Sequence, residues 1–346
     1  MTDFQIYLTI GVFAVVILLI AFDLIDMTVA ALLGVSVLIV FGILDGSDLM
    51  PIVHTAGGPL SLLFGGMVVA RVIGKTGIFD WIGDAFLRAT GGSGRRFLLL
   101  IVALVAPVCA VLPNATAVIL VAPVIVGVCL AFEVDFVGPL IITAIVSNAA
   151  GMLTLVGDPA TFLVGSAIGL SFTDYLRMVS LGGLLAVLAV VPLLPLLLPK
   201  IWAARVTLPA ERPPIVIERP AFLVLALLVL LTMVALFLVG ESLPTRIVPP
   251  QVAIIGAALA LLVVYGARIE PVGEVIRDVD WKTLVFLGAI FTLVRAFIKT
   301  ELLQGLSIQI YQWFGADLLP VAFLSLAGIG ILSSLLANIP VVAAAL

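Results

Sequence analysis

Residues 137–172 read VGPLIITAIVSNAAGMLTLVGDPATFLVGSAIGLSF, an apolar run that is too long for one straight membrane crossing. A single transmembrane helix needs only about 20 apolar residues. Gly151, Gly157 and Pro159 interrupt the run, and the carboxylate of Asp158 lies among them. Non-helical backbone at this depth is tolerated only where protein buries it or water fills the space beside it. The stretch therefore predicts a membrane span that is broken around a carboxylate.

The whole chain shares this apolar character. Of its 346 residues, 64% are hydrophobic and only 10% are charged, and the mean hydropathy is +1.39. Soluble proteins average about 45–50% apolar and about 25% charged residues, so a water-soluble globular protein is excluded. The net charge of −4 leaves no basic surface for nucleic acid. We predict an all-α polytopic membrane protein whose partner is the lipid bilayer.

Two neighbouring apolar runs are short for full membrane crossings. They lie at 97–112 and 117–131, and only Pro113-Asn114-Ala115-Thr116 separates them. We interpret residues 97–131 as one re-entrant hairpin with a polar tip. Two full crossings are the alternative, and they would leave the chain on the same side of the membrane as a hairpin does, so the topology of the rest of the chain does not decide between them. The other apolar runs lie at 4–22, 27–44, 58–74, 178–199, 221–240, 250–267, 282–298 and 317–336, with one more starting at 341.

Basic residues set the predicted orientation, because cytoplasmic loops are enriched in Lys and Arg. Most of the 16 basic residues fall in loops that share one side, and we assign that side to the cytoplasm. The N-terminus is then external, in a multi-pass protein of the plasma membrane. The predicted cytoplasmic loops are 23–26, 75–96, 132–136, 200–220 and 268–282.

A repeat with a shift of 224 residues runs through the chain. Arg71-Val-Ile-Gly-Lys75-Thr76 recurs as Arg295-Ala-Phe-Ile-Lys299-Thr300, and Asn114 recurs as Asn338. Each copy holds an odd number of crossings, so the two copies would have opposite orientations in the membrane. Inverted repeats are typical of secondary transporters, which hold the substrate near the midplane where the repeats meet.

The repeat predicts the domain boundaries. Residues 1–199 form the first transmembrane repeat, with the hairpin at 97–131 and the broken helix at 137–172. Residues 200–220 form a cytoplasmic linker, and 221–346 form a second, incomplete repeat. The second copy of the broken span would fall at about 371–383, beyond Leu346. We expect either a chain truncated at its C-terminus or a degenerate second repeat.

Asp158 is the main candidate for ion binding. A carboxylate at membrane depth is energetically costly and usually belongs to an ion or proton path. The alternative is that Asp158 caps a following half-helix with Pro159 as its first residue. The two roles can coexist.

Small polar residues and glycines at the break and at the two hairpin tips complete the candidate site. Amide oxygens and freed backbone groups at a tip can replace the hydration shell of an ion, and half-helix N-termini favour anions. A turn-forming Asn or a local backbone hydrogen bond is the alternative for each polar residue. The candidate substrate- and ion-binding residues are Asn114, Thr116, Ser147, Asn148, Gly151, Thr154, Gly157, Asp158 and Asn338.

Four basic residues near helix ends are interpreted as structural. Arg71 and Lys75 lie one helical turn apart, as do Arg295 and Lys299. Long basic side chains at such positions commonly reach to the membrane interface while their stems stay in apolar surroundings. We expect this snorkelling for all four.

An enzymatic function is not expected. Gly91-Gly92-Ser93-Gly94 fits the Gly-x-Ser-Gly string of intramembrane serine proteases, but the predicted topology places it in a cytoplasmic loop. His54, the only histidine, is predicted in a solvated external loop, so no Ser–His pair can form. His54 also lacks the partners that a metal site needs. We therefore expect no catalytic residue and no metal ligand.

The string Asn148-Ala-Ala-Gly-Met-Leu-Thr-Leu-Val-Gly-Asp-Pro159 resembles the citrate transporter-like and arsenite permease-like branch of the ion transporter superfamily. So do Asp280-Trp-Lys-Thr-Leu-Val-Phe286 and Ala337-Asn-Ile-Pro-Val-Val342. The superfamily also includes divalent-anion/sodium symporters and sodium/proton antiporters. The resemblance covers essentially the whole chain. It implies five helices plus one re-entrant hairpin per repeat, hairpin tips that face unwound helices, and frequent homodimers.

The two tips differ from those of related branches. The dicarboxylate branch has Ser-Asn-Thr where this chain has Pro113-Asn114-Ala115 and Ala337-Asn338-Ile339. The missing hydroxyls argue against a close dicarboxylate carrier. The arsenite and antiporter branches commonly have an Asp immediately before the tip Asn, whereas Pro113 and Ala337 stand there in this chain. The substrate is therefore left open.

Together, these features predict a secondary active transporter, or permease, that moves a small inorganic or organic anion or oxyanion. The expected coupling ion is H⁺ or Na⁺, and no other cofactor is expected. The alternatives are a sodium/proton antiporter of the same superfamily and a non-transporting membrane scaffold or subunit.

Overall fold

The structure is a computed structural model that describes residues 2–207, 216–315 and 318–335, together with Val342. Its regular secondary structure within these ranges is helical. The predicted site residue Asn338 lies outside the described residues. The helices are α1 (Asp3–Ala21), α2 (Met27–Val40), α3 (Leu49–Gly74), α4 (Ile78–Thr90), α5 (Gly94–Cys109), α6 (Asn114–Ala131), α7 (Val137–Gly151), α8 (Pro159–Ala167), α9 (Phe172–Met178), α10 (Ser180–Val190), α11 (Leu194–Leu197), α12 (Pro199–Ala203), α13 (Pro220–Val239), α14 (Pro249–Ala267), α15 (Val272–Arg277), α16 (Trp281–Lys299), α17 (Leu302–Phe314) and α18 (Leu318–Leu335).

The prediction of an all-α polytopic membrane protein is confirmed. Seven helical segments of the described residues are long and apolar enough to cross a bilayer. These segments are Asp3–Ala21, Gly46–Gly74, Asn114–Ala131, Ser180–Leu197, Pro220–Ser242, Pro249–Ala267 and Trp281–Lys299.

Several helices lie where the hydropathy pattern predicted loops. Helix α4 occupies much of the predicted cytoplasmic loop 75–96, and α15 and α17 lie in other predicted loops. On α4 the side chains of Phe86 and Leu87 are buried, whereas Asp80 and Arg88 are exposed. Such a helix alternates apolar and charged residues with helical period, and a search for uniformly apolar runs therefore misses it. His54, predicted in a loop, lies in α3 with an exposed side chain.

The predicted hairpin at 97–131 consists of α5 and α6. Helix α6 begins at Asn114 and not at residue 117, and its 18 residues are long and apolar enough for a full crossing. The short arm length that favoured a re-entrant hairpin therefore does not apply to α6. The hairpin stays a prediction that rests on its polar tip.

The 224-residue shift extends to helix boundaries. Helix α4 spans 78–90 and α17 spans 302–314, so both their first and their last residues differ by 224. The agreement supports the repeat, because helix ends depend on turn residues that the apolar composition does not determine. The inverted orientation and the domain boundaries stay predictions.

The chain forms two compact units, one from Met1–Leu60 and Asp280–Leu346 and the other from Ser61–Val279. In the first unit α2 packs along α16, and Phe13 of α1 meets Phe297 edge-on at 4.6 Å between ring centroids. In the second unit α5, α6 and α7 pack together around buried apolar side chains, among them Phe97, Ile125 and Ile142.

Each unit combines segments of both predicted repeats. Helices α2 and α14 are equivalent under the 224-residue shift, and α16 is equivalent to residues 57–75, which include the C-terminal two thirds of α3. The first unit holds α2 of the first repeat and α16 of the second. The second unit holds most of the first repeat together with α13, α14 and α15 of the second. Each compact unit therefore contains helices of both predicted repeats.

The four basic residues expected to snorkel are engaged in ion pairs. In the first unit Arg295 binds Asp48 at 3.0 Å, and Lys299 binds Asp45 at 2.8 Å and Asp48 at 2.7 Å. Snorkelling toward the membrane interface stays a prediction for this pair, whose acidic partners the sequence analysis did not identify. Its partners lie about 250 residues away in the chain, which sequence spacing cannot reveal.

The second unit contains the equivalent pair. Arg71 binds Asp278 and also Glu270, the latter at 3.6 Å. Lys75 binds Glu270 at 3.1 Å. As in the first unit, the basic residues stand on one repeat and the acidic residues on the other.

The Lys299–Asp45 pair predicts an acid-dependent contribution to stability. The Lys299 side chain hydrogen-bonds the Asp45 carboxylate and holds the pKa of that carboxyl well below its ordinary value of 3.8. A depressed pKa in the folded state stabilises the protein above the ordinary pKa, and this stabilisation is lost as the pH falls toward the folded-state value. Lys299→Met should therefore lower Tm near neutral pH and reduce the further fall in Tm below about pH 4.

Thermal unfolding in detergent between about pH 6 and pH 3 measures both effects. Lys200→Met is the matched control, because exposed Lys200 makes no ion pair within the part of the chain that the structure describes. Equal acid sensitivity of the parent and Lys299→Met would contradict a stabilising role for this pair.

Candidate functional site

The predicted break in the 137–172 run lies between α7 and α8. Helix α7 ends at Gly151 and α8 begins at Pro159. Proline disfavours the helical conformation in the residue before it, and Asp158 is accordingly extended, with φ −140° and ψ 133°. Asp158 Oδ1 accepts a hydrogen bond from the Ala160 backbone N–H at 2.7 Å. Asp158 is thus the N-cap of α8, as the structural alternative predicted.

The second carboxylate oxygen binds the tip between α5 and α6. Asn114 Nδ2 donates a hydrogen bond to Asp158 Oδ2 at 2.8 Å. Asn114 Oδ1 is buried and has no hydrogen-bond partner among the described residues. A buried acceptor without a donor is costly, so this oxygen is available to a cation or to a ligand that donates a proton.

A glycine makes room for the Asn114 amide. A Cβ placed on Gly151 would lie 2.6 Å from Asn114 Nδ2 and 2.8 Å from Oδ1. Real side chains do not approach so closely, so a larger residue at 151 would displace the amide from Asp158. The predicted residues Asn114, Gly151 and Asp158 therefore meet in one place.

Thr154 and Gly157 hold the break against the end of α5. Thr154 Oγ1 donates to the Ala110 carbonyl at 2.6 Å and accepts from the Gly157 N–H at 3.1 Å. A Cβ on Gly157 would lie 2.6 Å from the Cys109 carbonyl oxygen. The break thus lies directly against the backbone at the C-terminal end of α5, just before the tip.

Two further side chains fix the break from its other side, and the residue pattern did not reveal them. The Tyr175 hydroxyl donates to the Met152 carbonyl at 3.0 Å, and Ser180 Oγ donates to the Leu153 carbonyl. These carbonyls have no partner inside α7, so the two hydroxyls satisfy backbone groups that the break exposes. A lone Tyr and a lone Ser outside the broken run carry no signal for this role.

Three predicted residues are placed differently. Ser147 Oγ donates to the Ala144 carbonyl at 2.9 Å within α7, which is the local bond that was the alternative for it. Asn148 is exposed on α7, and Thr116 is half-buried in the first turn of α6. Neither side chain has a hydrogen-bond partner within the described ranges. Their roles in binding stay predictions.

The site carries a carboxylate without a cationic side chain. Within the described residues no Lys, Arg or His hydrogen-bonds or ion-pairs with Asn114, Thr154 or Asp158. The same part of the chain has no cluster of three or more His, Cys, Asp or Glu residues suited to a metal ion. Among the described residues, the Asp158 carboxylate therefore has hydrogen-bond donors but no basic partner.

A polytopic helical membrane protein with a broken span around a carboxylate has the architecture of a membrane transporter. This chain belongs to the citrate transporter family, whose model matches residues 17–346. The family is part of the ion transporter superfamily, so the resemblance noted in the sequence is confirmed.

Several curated relatives share this similarity. An uncharacterized transporter of Synechocystis is 39% identical over 336 residues, which cover 97% of this chain and 75% of the relative. An uncharacterized transporter of Mycobacterium bovis is 30% identical over 343 residues, covering 96% of this chain and 77% of the relative. The human P protein is 30% identical over 203 residues, covering 56% of this chain and 24% of that protein. The prediction of a transporter is thereby confirmed.

Proposed function

We propose that this transporter is a secondary active permease that moves a small anion or oxyanion across the plasma membrane, coupled to H⁺ or Na⁺. The observation that carries the proposal is the Asn114–Asp158 contact at the break. It joins an ionisable carboxylate, an unpartnered amide oxygen and freed backbone groups in a membrane-embedded segment.

Electrostatics link the anion to the coupling ion. An anion that approaches Asp158 is repelled unless a positive charge lies between them, because charges interact strongly where water is scarce. No basic side chain of the described residues touches the site, so a co-transported H⁺ or Na⁺ supplies that charge. The coupling ion is thus part of the binding site, and we propose no other cofactor.

The family name and the tip residues guide the choice of substrate. The family model is described as a citrate transporter, which makes a small carboxylate the first candidate. The tip residues Pro113, Asn114 and Ala115 carry no hydroxyl, and this argues against dicarboxylate binding of the Ser-Asn-Thr type. Thr116, Asn148 and Asn338 are our candidates for further substrate contacts.

The ion pairs agree with the predicted grouping of the loops on two sides of the membrane, and the basic residues of the loops remain our reason for proposing an external N-terminus. Lys75, Glu270 and Asp278 all belong to predicted cytoplasmic loops, and they meet in one cluster. Lys299 and Asp45 both belong to the predicted external side, and they also meet. Residues assigned to opposite sides of the membrane do not pair in either cluster. We further propose a homodimer and no enzymatic activity.

One observation favours a second candidate function, sodium/proton antiport. A site with a carboxylate, an amide oxygen and no basic side chain suits a cation better than an anion. In such an antiporter Asp158 would carry Na⁺ and H⁺ in alternation, and no anion would be needed.

Uptake into proteoliposomes tests the two functions. With citrate or an oxyanion outside, an inward H⁺ or Na⁺ gradient should drive accumulation above equilibrium, and an ionophore that collapses the gradient should abolish it. Uptake that persists without any ion gradient or membrane potential would disprove coupling. Proton movement driven by Na⁺ in the absence of every anion would instead establish the antiporter.

A further inference from the structure

We propose that Glu270 is a positioning residue for the Asn114–Asp158 site, although it lies in the loop after α14 and does not touch that site. Its ion pairs fix the position of α3 along the helix axis, and α3 in turn packs against the tip that carries Asn114. This inference rests on the proposed function only where it concerns transport.

Glu270 is well placed to hold α3. Its side chain is only 10% exposed, and Oε2 binds Lys75 Nζ at 3.1 Å and Arg71 Nη2 at 3.6 Å. Arg71 also binds Asp278. Arg71 and Lys75 lie one turn apart near the C-terminal end of α3. Glu270 and Asp278 therefore bind one end of this helix through ion pairs.

The same helix supports the tip. A Cβ on Gly66 of α3 would lie 2.6 Å from Pro113 Cγ, and Pro113 immediately precedes Asn114. On the neighbouring residue, a Cβ on Gly65 would lie 2.5 Å from the Ala253 carbonyl carbon of α14. These two glycines let α3 fit closely between α14 and the tip.

The fit depends on the height of α3 along its axis. Gly66 and Arg71 are five residues apart, which is roughly 7.5 Å of helix. A shift of α3 along its axis would move Gly66 away from Pro113 and break this close fit. The ion pairs of Glu270 oppose such a shift, and they thereby keep Asn114 within hydrogen-bond distance of Asp158.

The arrangement occurs twice in the chain. Arg295 and Lys299 stand at the equivalent end of α16, and Asp48, with a side chain only 2% exposed, binds both. In both units an acidic loop residue of one repeat holds the equivalent helix of the other. The recurrence indicates that these ion pairs are a shared feature of both copies of the repeat and that the Glu270 contacts are not an isolated surface ion pair.

The reactivity of Cys109 tests the proposal without any transport. Cys109 is buried, and its carbonyl contacts Gly157 at the site. In a Cys129→Ser background it is the only thiol. Glu270→Gln should raise the maleimide labelling rate of Cys109 about fivefold, because coupling through packed elements commonly changes equilibria by that order.

Asp84→Asn is the matched control. It removes a carboxylate in the same unit. Asp84 pairs with Arg88 on its own helix α4, so the ion pairs that hold α3 are unchanged. Its labelling rate should equal that of the parent. In proteoliposomes Glu270→Gln should also raise the half-saturating coupling-ion concentration about fivefold, with the maximal rate largely kept.

A second variant covers a failure of Glu270→Gln to fold. Gly66→Ala should also raise the labelling rate of Cys109. The double variant Glu270→Gln with Gly66→Ala should label less than twofold faster than either single variant, because both changes disturb the same contact between α3 and the tip. The double exchange Glu270→Lys with Lys75→Glu should restore the labelling rate toward that of the parent. Parent-like labelling of folded Glu270→Gln, or of Gly66→Ala, would overturn the proposal. If Glu270→Gln labelled faster than the parent but the parent showed no ion-driven transport, only the proposed function would be refuted, and the positioning role of Glu270 would stand.

Discussion

Asp158→Asn should abolish ion-driven accumulation of substrate while the protein stays folded in detergent. Asp158 is the only carboxylate among the described residues of the site, so its loss removes the negative charge that we propose to bind H⁺ or Na⁺. Asn is as good an N-cap as Asp, so the bond from the Ala160 N–H is kept and the cost in stability is about 1 kcal/mol or less. Uptake in proteoliposomes with and without an imposed ion gradient measures the effect.

The same variant separates coupling from binding. Downhill exchange of substrate should persist, because Asn114 and the backbone of the break stay in place. Asp174→Asn is the control, since Asp174 is a carboxylate that accepts from Ser171 Oγ at 2.6 Å in α9 and does not touch the break. It should accumulate substrate as the parent does. If Asp158→Asn kept the ion dependence of the parent, Asp158 would serve only as the cap of α8.

Much of this site was predictable because local chemistry determines it. Pro159 prevents a helix that comes from the N-terminal side from continuing through it. An apolar run too long for one bilayer crossing, with glycines at its centre, is also expected to break. Asp158 follows as the cap of the helix that Pro159 starts. These features depend on neighbouring residues, so the sequence pattern is sufficient to find them.

The contacts between distant segments were not predictable in the same way. Asn114 and Asp158 are 44 residues apart, and only the tertiary structure shows that the amide donates to the carboxylate. The carbonyls of Cys109 and Ala110 contribute through the backbone, where the residue type gives no signal. Tyr175 and Ser180 were missed for the related reason that they bind backbone carbonyls.

The fold shows the same division. The uniformly apolar helices were found at nearly correct positions, whereas the amphipathic α4 and α17 were taken for loops. Their equivalence under the 224-residue shift adds structural support to a repeat first noticed in a few polar residues. The Arg71–Asp278 and Arg295–Asp48 ion pairs escaped prediction because each joins residues more than 200 positions apart.

Glycines at three contacts explain how a membrane protein can bring polar groups so close together. Gly66, Gly151 and Gly157 lie against Pro113, the Asn114 amide and the Cys109 carbonyl, respectively. Each contact leaves no room for a side chain, so the backbone of the break can approach the tip directly.

The largest structural effect is therefore expected from Gly157→Ala. The added Cβ would lie 2.6 Å from the Cys109 carbonyl oxygen and 2.9 Å from that of Gly151, and backbone atoms cannot rotate away as a side chain can. The break should separate from the tip, with loss of the Thr154–Ala110 and Asn114–Asp158 hydrogen bonds. The unfolding free energy should fall by about 1–3 kcal/mol, as for other overpacked sites, and uptake should be lost.

Gly182→Ala is the matched control, because a Cβ on Gly182 of α10 would meet no heavy atom within 4 Å. Alanine also favours helix over glycine, so this variant should be as stable as the parent or slightly more stable. Thermal unfolding in detergent and uptake in proteoliposomes compare the two changes. Downhill exchange should fail in Gly157→Ala, in contrast to Asp158→Asn, because the geometry of the site is lost and not only its charge. Parent-like Tm and uptake in Gly157→Ala would show that transport does not need the break and the tip to be in contact.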